Sequence, residues 1–409
     1  MAVLDVAICG AGPAGLATAL YMLRLGHRPT IFERFDAARP IGSGLVLQPT
    51  GQAVLHDLGL LDAIRELGAP LDRLHGADAR TGRVVLDVRY DSLPRAGRGL
   101  GIHRAALFGV LHNAVLAAGI RVVTEQEVRG LRDAANGKRA LIFAGDRLSE
   151  AFDLVVDCLG ANSPLKTYSA KPGTSRALSF GAIWTTLPWR AEGFEDTALT
   201  QRYRRAGVMI GVLPVGRSSP DSAARAAFFW SLKPAEYEAL KQAGLDAWKQ
   251  TVLAHWPEVA PHLDAIADFP DMTLARYAHH TMPNPTGDAL AFVGDSAHSA
   301  SPQLGQGANM ALLDARALYL GLRDHPEDMG KALARYAALR RWHVRLYQVL
   351  SAMFTPFYQS DSRVLPLIRD VFVSFIARIP PAPQFLAAIV SGSLLAPLKT
   401  LELKRPPSV

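Results

Sequence analysis

The sequence has few cysteines: only Cys9 and Cys158 occur among its 409 residues, and each lies in an apolar run. Two isolated cysteines exclude a disulfide framework and are typical of proteins from a reducing compartment. The N-terminus also lacks the apolar run of a secretory signal peptide, because Asp5 interrupts it and a glycine motif begins at Gly10. These absences predict a cytoplasmic protein.

The sequence also lacks a concentrated stretch of positive charge. Its formal net charge is +7, but the densest groups of arginine, at 202–205 and 340–345, are short and interrupted by other residues. Nucleic-acid-binding proteins usually carry a basic stripe or a known module, so we expect no nucleic-acid partner. His279 and His280 have no ligand spacing with other histidines or cysteines, so we also expect no metal site.

A long charge-free segment near the C-terminus is interrupted by proline. Residues 379–398 are long enough to cross a bilayer, but prolines stand at positions 380, 381, 383 and 397. These prolines would break a lipid-exposed helix and leave backbone groups unpaired. We therefore expect packed helices here, with membrane contact at most peripheral.

What the chain does contain is an ordered succession of strand and helix patterns. A β-α-β unit occupies residues 3–33, β-like runs dominate 179–277 around a helical insert at 234–255, and helical patterns continue from 330. The order predicts an α/β fold, in which a split Rossmann-like dinucleotide-binding domain carries an inserted, mostly antiparallel β-sheet domain and C-terminal helices. The expected boundaries are 1–68, 100–170 and 278–335 for the dinucleotide-binding domain, 69–99 and 171–277 for the sheet domain, and 336–409 for the helical region.

A glycine-rich turn follows the first strand. Residues 10–15 read GAGPAG, which fits G-x-G-x-x-G; they follow a strand, open a helix and are followed by Glu33 at the end of the next strand. Gly10 makes the tight turn, Gly12 lets the backbone approach a pyrophosphate, and Gly15 allows the helix to pack closely on the strand. The helix N-terminus would face the phosphates and Glu33 the adenosine ribose. The motif predicts a dinucleotide site but does not decide between FAD and NAD.

A second, longer glycine cluster lies between a later strand and helix. Residues 291–298 read AFVGDSAH and residues 301–310 read SPQLGQGANM. Asp295 at the strand end can bind polyol hydroxyls, and the glycines of the loop allow backbone N–H groups to approach a flat ring. The positive end of the following helix would stabilise negative charge on that ring. A reduced flavin carries such charge, so the cluster favours a flavin.

Together the two clusters resemble those of the class A flavoprotein monooxygenases, the para-hydroxybenzoate hydroxylase-like family. The resemblance covers nearly the whole chain, through residues 10–15, Arg104, residues 153–166 and residues 294–309. Residues 42–49 resemble the segment that runs near the flavin in this family. The resemblance implies that FAD is the cofactor and that its contacts include Gly10, Gly12, Pro13, Ala14, Gly15, Glu33, Arg34, Gly44, Arg104, Asp295, Pro302, Gly305, Gln306, Gly307, Ala308 and Asn309.

The resemblance also implies a reaction. NADH or NADPH reduces FAD, O₂ adds to the reduced flavin, and the resulting C4a-hydroperoxyflavin transfers one oxygen atom to a small aromatic, lipophilic or otherwise electron-rich substrate. By the same resemblance Arg104 would contact the FAD phosphates, Asp295 the ribityl or pyrophosphate region, and residues 305–309 the isoalloxazine ring. Pro302 would lie near the oxygen chemistry, and His298 either packs the loop or transfers a proton. We expect a monomer or a homodimer.

One position departs from the family pattern. The family carries an Asp-Gly pair in a strand-end segment resembling Gly-Ala-Asp-Gly-x-x-Ser, whereas residues 157–163 read DCLGANS here, with Leu159 in place of the aspartate. In the family that aspartate is linked to FAD and NAD(P)H binding, and leucine can neither accept a hydrogen bond nor balance a positive charge. Asp157 would have to compensate from two residues away. Leu159 therefore leaves open an oxidase or reductase that does not insert oxygen. A second, separate alternative is a non-catalytic FAD-binding subunit of a biosynthetic complex.

The substrate must be recognised largely by the inserted sheet. The candidates for substrate contact are Gln48, Trp184, Tyr203 and Trp230. The aromatic side chains among them either line a pocket or pack in the core. The sequence does not identify the substrate, nor does it separate hydroxylation from Baeyer–Villiger or epoxidation chemistry.

Overall fold

The computed structural model of the chain describes residues 2–37, 43–93, 97–373, 377 and 379–407. Its strands, numbered along the chain, are β1 (Asp5–Cys9), β2 (Arg28–Phe32), β3 (Gly44–Leu47), β4 (Ala69–Leu71), β5 (Arg73–Asp78), β6 (Val84–Arg89), β7 (Gly99–His103), β8 (Arg121–Val123), β9 (Val128–Asp133), β10 (Arg139–Phe143), β11 (Leu148–Phe152), β12 (Leu154–Asp157), β13 (Thr174–Ala177), β14 (Gly181–Pro188), β15 (Ala198–Arg204), β16 (Val208–Gly216), β17 (Arg225–Leu232), β18 (Thr273–Ala275), β19 (Ala278–Thr281), β20 (Thr286–Gly287), β21 (Leu290–Phe292) and β22 (His298–Ser299).

The helices are concentrated at the two ends of the chain and in one insert between strands. In chain order they are α1 (Pro13–Arg24), α2 (Pro49–Asp57), α3 (Leu61–Leu67), α4 (Arg104–Ala117), α5 (Tyr237–Ala243), α6 (Leu245–His255), α7 (Ala260–Leu263), α8 (Gly307–Asp324), α9 (Met329–Tyr358), α10 (Leu365–Ile368), α11 (Ala382–Val390) and α12 (Pro397–Thr400).

A six-stranded sheet has the order β20-β21-β12-β1-β2-β8, and only β20 runs antiparallel to its neighbour. Its central strand β1 is apolar throughout its buried length because both faces are covered. Val6 and Ile8 pack with α1, α2, α4 and α8 on one face. Ala7 and Cys9 pack on the other face with Leu141 and other residues of the three-stranded sheet β11-β10-β9. The two glycine-rich loops follow strands β1 and β21 of this sheet, and they leave it at the carboxyl ends of those strands.

A seven-stranded sheet has the order β18-β14-β17-β16-β15-β5-β6 and is antiparallel except where β15 meets β5. Alternate residues of β17 enter two different cores. Phe228 and Trp230 pack against the helical insert α5–α7. Phe229 packs on the opposite face with Val46 of β3 and Leu213 of β16. The face that carries Phe229 is therefore the one that approaches the glycine-rich loops.

The C-terminal part of the chain is helical, and α9 packs along α8. The charge-free segment 379–398 forms two separate helices, α11 and α12, as its prolines predict. Within the described ranges no helix combines the length and the apolar character needed to cross a membrane.

Most predicted elements are confirmed, and the mixed α/β architecture is confirmed with them. The first β-α-β unit and the helical insert lie where the sequence placed them, and β5 and β6 form a hairpin around Gly82. The three-stranded sheet β3-β7-β4 was not predicted. Its strands are short and their partners are distant in sequence, so no local pattern indicates the pairing.

Candidate functional site

Three glycines shape the loop between β1 and α1, and each has a different reason to be glycine. Gly10 has a φ of +103°, and a Cβ there would lie 2.7 Å from the carbonyl oxygen of Cys158. A Cβ at Gly15 would lie 2.0 Å from the carbonyl oxygen of Gly10. A Cβ at Gly12, in contrast, would have no atom within 4 Å. Packing therefore requires Gly10 and Gly15, whereas Gly12 borders open space that a ligand could enter.

The N-terminus of α1 is free to bind an anion. Its N-cap is Gly12, which has no side chain to pair with the first N–H groups, and Pro13 occupies the first helical position. The first turn also contains no acidic residue. The unpaired N–H groups and the positive end of the helix dipole therefore face the open space beside Gly12. This arrangement suits a phosphate or pyrophosphate.

Glu33 closes the side of this loop at the end of β2. Its carboxylate accepts hydrogen bonds from the backbone N–H groups of Ala11 at 2.9 Å, Arg34 at 2.9 Å and Phe35 at 3.3 Å. These bonds fix the carboxylate beside the loop and leave it further capacity to accept ribose hydroxyls, since an ionised carboxylate has about four acceptor positions. Arg34 is exposed, with its guanidinium 4.7 Å from the centre of the Phe35 ring.

The second loop also ends at an uncapped helix. Gly305 adopts the left-handed conformation, with φ of 60° and ψ of 31°, and it turns the chain into α8. The N-cap residue Gln306 makes no side-chain capping bond, and Gly307 is exposed. Ala308 is partly exposed beside it, and Pro302 stands exposed at the start of the loop. The N-terminus of α8 thus presents a second set of free N–H groups.

Asn309 is fully buried and its side chain is bound to backbone. Its amide nitrogen donates to the carbonyl oxygens of Val46 at 3.1 Å and Gly305 at 2.9 Å, and its amide oxygen accepts from the N–H of Gln48 at 2.8 Å. Asn309 therefore joins the second loop to β3 and the start of α2. Asn309 was predicted to contact the cofactor. In the structure its side chain is hydrogen-bonded to the backbone of Val46, Gln48 and Gly305.

The two loops converge although almost 300 residues separate them in the chain. Gly294, with a φ of +70°, lies between the first turns of α1 and α8. A Cβ at Gly294 would be 3.0 Å from the Cβ of Ala311 and 3.4 Å from the Cβ of Ala14. The two uncapped N-termini therefore lie close enough for one elongated ligand to contact both, and we call the open space beside Gly12 and Gly307 the cleft.

Asp295 lies in this cleft. The residue is exposed to solvent, although protein atoms surround its carboxylate. Its carboxylate oxygen is 3.9 Å from the position of a Cβ at Gly307. Burial raises the pKa of this carboxyl, and the charges of His298, Arg104 and Lys166 oppose the rise. Arg104 begins α4, is exposed and makes no ion pair with any residue of the described ranges. An anionic ligand can therefore use this arginine.

Two predicted contacts on the β3 side are explained by packing. Gly44 is buried, and a Cβ there would lie 2.4 Å from a side-chain carbon of Val215. Gln48 is also buried, and its side-chain amide oxygen (Oε1) accepts a 2.6 Å hydrogen bond from the Tyr90 hydroxyl. Its amide nitrogen is 3.5 Å from the position of a Cβ at Gly305. Gln48 thus reaches the second loop, while Gly44 lets the strand approach β16.

Asp157 does not replace the aspartate that Leu159 displaces. Its buried carboxylate accepts hydrogen bonds from the Ser163 hydroxyl and from the N–H of Leu159 at 2.9 Å. Burial raises its pKa to about 6, against the effect of these hydrogen bonds. Asp157 therefore stabilises the turn after β12, and the Leu159 side chain packs against the adjoining core.

His298 belongs to a buried network behind the second loop. Its Nε2 lies 2.6 Å from a carboxylate oxygen of Asp314, which also accepts from the N–H of Gly294 at 2.9 Å. The other oxygen of Asp314 accepts from Nε of Arg340 at 2.6 Å. Burial opposes ionisation of Asp314, but the charges of His298 and Arg340 outweigh it and lower its pKa to about 2. Arg340 also donates to Nδ1 of His343, at 3.2 Å.

The predicted aromatic contacts do not all lie together. Trp184 and Tyr203 share the sheet face that carries Phe229, with the Trp184 and Phe229 ring centres 4.6 Å apart. The indole N–H of Trp184 donates to the Tyr277 hydroxyl at 2.7 Å. Trp230 lies on the opposite face, packed against the helical insert. The expectation that Trp230 contributes to the same pocket is therefore corrected: its position along β17 points it away from the glycine-rich loops.

The C-terminal helices reach this site, which was not predicted from the sequence. Gln306 donates to the carbonyl oxygen of Val390 at 2.6 Å. Gly392, with a φ of +79°, lies so close to α2 that a Cβ there would be 2.4 Å from the hydroxyl of Thr50. The end of α11 therefore supports the second loop from behind. The lone glycine of the Ser-Gly-Ser run at 391–393 was the available signal.

The model of the FAD binding domain family matches residues 3–345 of the chain. The chain belongs to this family. Its members use FAD, so the predicted cofactor is confirmed, and NAD(P)H is their usual reductant. The predicted resemblance to the class A flavoprotein monooxygenases is confirmed as well.

Two relatives with similar sequences are named as a monooxygenase and as a hydroxylase. The 6-methylpretetramide 4-monooxygenase of Streptomyces rimosus is 28% identical over 400 residues, which cover 95% of this chain and 92% of that protein. The FAD-dependent urate hydroxylase of Mycolicibacterium vanbaalenii is 25% identical over 349 residues, which cover 82% of this chain and 84% of that protein.

Solved structures share the fold over almost the whole length. The tetrameric form of 2-methyl-3-hydroxypyridine-5-carboxylic acid oxygenase superposes with a TM-score of 0.78 at 19% identity, covering 100% of this chain and 99% of that chain. Klebsiella pneumoniae HpxO, complexed with FAD and uric acid, gives a TM-score of 0.77 at 20% identity, covering 96% and 98%.

Replacement of Asn309 tests its role as a link between backbone segments. Asn309→Leu keeps a similar volume but removes the partners of Gln48 N–H and of the Val46 and Gly305 carbonyls. We expect the free energy of unfolding to fall by about 1–3 kcal/mol for each buried group left unpaired, measured by urea denaturation of the flavin-free protein. The matched control is Asn113→Leu on the exposed face of α4, which should change stability by less than about 0.5 kcal/mol. Equal effects of the two substitutions would contradict this role.

The pH dependence of stability tests the environment of His343. Burial, followed by the charge of Arg340, lowers its pKa to about 3. Arg340 can only donate, so Nδ1 of His343 accepts and Nε2 donates to the Gly392 carbonyl at 3.0 Å, which fixes the neutral ring. Between pH 3 and 6.5 the unfolded chain binds a proton that the folded chain does not, so stability rises with pH in this window.

We therefore expect His343→Gln to reduce the slope of unfolding free energy against pH by about 1.4 kcal/mol per pH unit within that window. Chemical denaturation at a series of pH values measures it. His56→Gln, at an exposed position, is the control and should leave the slope unchanged. A wild-type slope in His343→Gln would show that the buried ring is not the source.

Proposed function

We propose that the protein is a FAD-dependent monooxygenase that takes electrons from NADH or NADPH and hydroxylates a small aromatic or otherwise electron-rich molecule with O₂. The observation that carries this proposal is the single cleft into which the N-termini of α1 and α8 both open. Similarity to relatives named as monooxygenases and hydroxylases supports it. Leu159 favours one alternative, an oxidase or reductase that does not insert oxygen. A non-catalytic flavin-binding subunit is a second alternative.

The division into domains that we propose follows the two large sheets. Residues 1–68, 100–170 and 278–335 would form the split Rossmann-like FAD-binding domain around the parallel sheet. Residues 69–99 and 171–277 would form the inserted substrate domain around the seven-stranded sheet, and residues 336–409 the C-terminal helical region. The strand orders support this division. All strands of the six-stranded sheet fall within the proposed FAD-binding domain, and all strands of the seven-stranded sheet fall within the proposed substrate domain.

The described residues fit FAD at four points along the cleft. We propose that Glu33 and Arg34 hold the adenosine end, and that the loop of residues 10–15 and Arg104 hold the pyrophosphate. Asp295 would accept hydroxyls of the ribityl chain. Around the isoalloxazine ring we place Gly44, Pro302, Gly305, Gln306, Gly307, Ala308 and Asn309, of which Gly44 and Asn309 act by supporting the backbone.

The fit rests on features of the protein that otherwise have no function. Two helix N-termini are uncapped, Gly12 faces open space, and Arg104 makes no ion pair within the described ranges. Bound FAD supplies the electron transfer and oxygen activation that no side chain provides. The protein positions the substrate, excludes water and places positive charge near the ring.

The substrate would lie between the second loop and the seven-stranded sheet. We propose Gln48, Trp184 and Tyr203 on its walls, with Trp230 excluded because it belongs to the opposite face. Aromatic walls favour a flat, apolar substrate. The 6-methylpretetramide 4-monooxygenase matches over 95% of this chain, which favours a substrate similar to 6-methylpretetramide.

Of the two candidate catalytic residues, Pro302 is exposed and His298 is buried. We propose that this exposed proline borders the position of the reacting oxygen. His298 is bound to Asp314 and acts as a positioning residue for the loop of residues 294–298. We further propose a cytoplasmic monomer or homodimer, with O₂ and the small substrate as partners and no nucleic acid.

The test is a two-stage experiment on the purified yellow protein. First, NADH and NADPH are mixed with it anaerobically, with and without 6-methylpretetramide, urate, a hydroxybenzoate and a quinolone; flavin bleaching identifies the donor and the substrate class. Second, aerobic turnover under isotopically labelled O₂ is followed by mass spectrometry. We expect substrate-stimulated bleaching and a product that gains one labelled oxygen atom. Hydrogen peroxide in place of that product would indicate an oxidase, and absence of bleaching under all conditions would indicate a non-catalytic subunit.

A further inference from the structure

A cavity of about 410 Å³ lies outside the proposed FAD cleft, between α9 and the turn that follows β19. Its volume lies within the range typical of small-molecule sites. The charged residues on its wall are Lys171, Asp314, Arg340, Arg341 and Arg345. His298 also lines the cavity, but none of the residues that we place around FAD does.

The charge on the wall is strongly unbalanced. Asp314 is the sole carboxylate among the described residues that line the cavity, and it is already bonded to Arg340, His298 and Gly294. Lys171, Arg341 and Arg345 make no ion pair with residues of the described ranges. Arg341 and Arg345 are one helical turn apart on α9, where like charges repel. An anion bound between Arg341 and Arg345 would attract both side chains and offset their mutual repulsion.

Buried polar atoms at the cavity lack partners. Arg340 is 2% exposed, and its Nη2 has no hydrogen-bond partner although Nε and Nη1 are bonded. The side-chain amide oxygen (Oε1) of Gln348, which also lines the cavity, is buried and has no hydrogen-bond partner. An unpaired buried donor of a charged group is costly, so a ligand that accepts from it gains affinity. A ligand with acceptor oxygens and a hydroxyl would satisfy both atoms.

We propose that this cavity is an anion site for a small ligand of the phosphate class. Nη2 of Arg340 donates to the ligand at the buried end, and Lys171, Arg341 and Arg345 neutralise it at the mouth. Asp314 connects the site to the second glycine-rich loop, because the same carboxylate holds the N–H of Gly294 and the ring of His298. Binding of an anion at this site does not require the reaction proposed for the flavin.

The test is isothermal titration calorimetry of the FAD-loaded protein with inorganic phosphate at constant ionic strength. FAD is present so that phosphate cannot occupy its pyrophosphate position. We expect saturable binding at one site in the wild type, weakened about tenfold or more by each of Arg341→Gln and Arg345→Gln, since each removes a charge-assisted contact. Both residues are exposed, so the fold should tolerate these changes.

Arg363→Gln is the matched control, because Arg363 is an exposed arginine of the same region that does not line the cavity. It should leave phosphate affinity unchanged. A lipid phosphate has the same chemistry, so a second arm measures co-sedimentation with phosphatidylcholine vesicles with and without phosphatidylglycerol. Binding to free phosphate supports a soluble ligand; binding only to the anionic vesicles, lost in Arg341→Gln, supports a lipid headgroup. Absence of both, or equal weakening in Arg363→Gln, would overturn the proposal.

Discussion

The close contact of α1 and α8 at Gly294 is the constraint on which the proposed site depends. Gly294 has a φ of +70°, and a Cβ there would lie 3.0 Å from Ala311 and 3.4 Å from Ala14, so a larger residue would be strained and would crowd the two helices. Their free N–H groups consequently open into one cleft. A helix N-terminus alone is a weak anion site, but two that converge can contact two separate parts of one elongated anionic cofactor.

A buried charge network keeps this contact in place. Asp314 of α8 is fully buried and binds the N–H of Gly294, the ring of His298 and Arg340 of α9. A buried carboxylate is costly unless its oxygens are paired, and here the paired groups come from two other segments of the chain, the loop of residues 294–298 and α9. The same interaction therefore orders the loop at Gly294 and fixes α9 along α8. The C-terminal helices support the site through this network and through the contact of Gln306 with Val390.

Much of the fold was predictable because its signals are local. The loop at residues 10–15 lies between a buried strand and a helix, and Glu33 closes the next strand, so the sequence alone indicated the whole unit. Side-chain direction was less predictable. Trp184 and Trp230 both lie in strands of one sheet, but they face opposite cores because the register of the strands decides their faces.

The roles of individual site residues required the tertiary structure. Asn309 and Gly44 fall within motifs that resemble flavin contacts, yet the structure shows one bound to three backbone groups and the other packed on Val215. The carboxylate of Asp157 likewise accepts hydrogen bonds from Leu159 and Ser163 and stabilises the turn after β12. No pattern of residues along the chain reveals which of several acceptors a buried polar side chain will choose, because its partners come from distant segments.

Titration of the flavin-free protein with FAD, followed by quenching of flavin fluorescence, tests most directly whether the cleft holds the cofactor at Gly12. Gly12 has φ of −73° and ψ of 175°, which valine adopts without strain, and a Cβ there meets no protein atom. Gly12→Val should therefore unfold like the wild type but bind FAD at least about tenfold more weakly, whereas Gly109→Val, at an equally open glycine of α4, should bind it normally. Wild-type affinity in Gly12→Val would contradict the account.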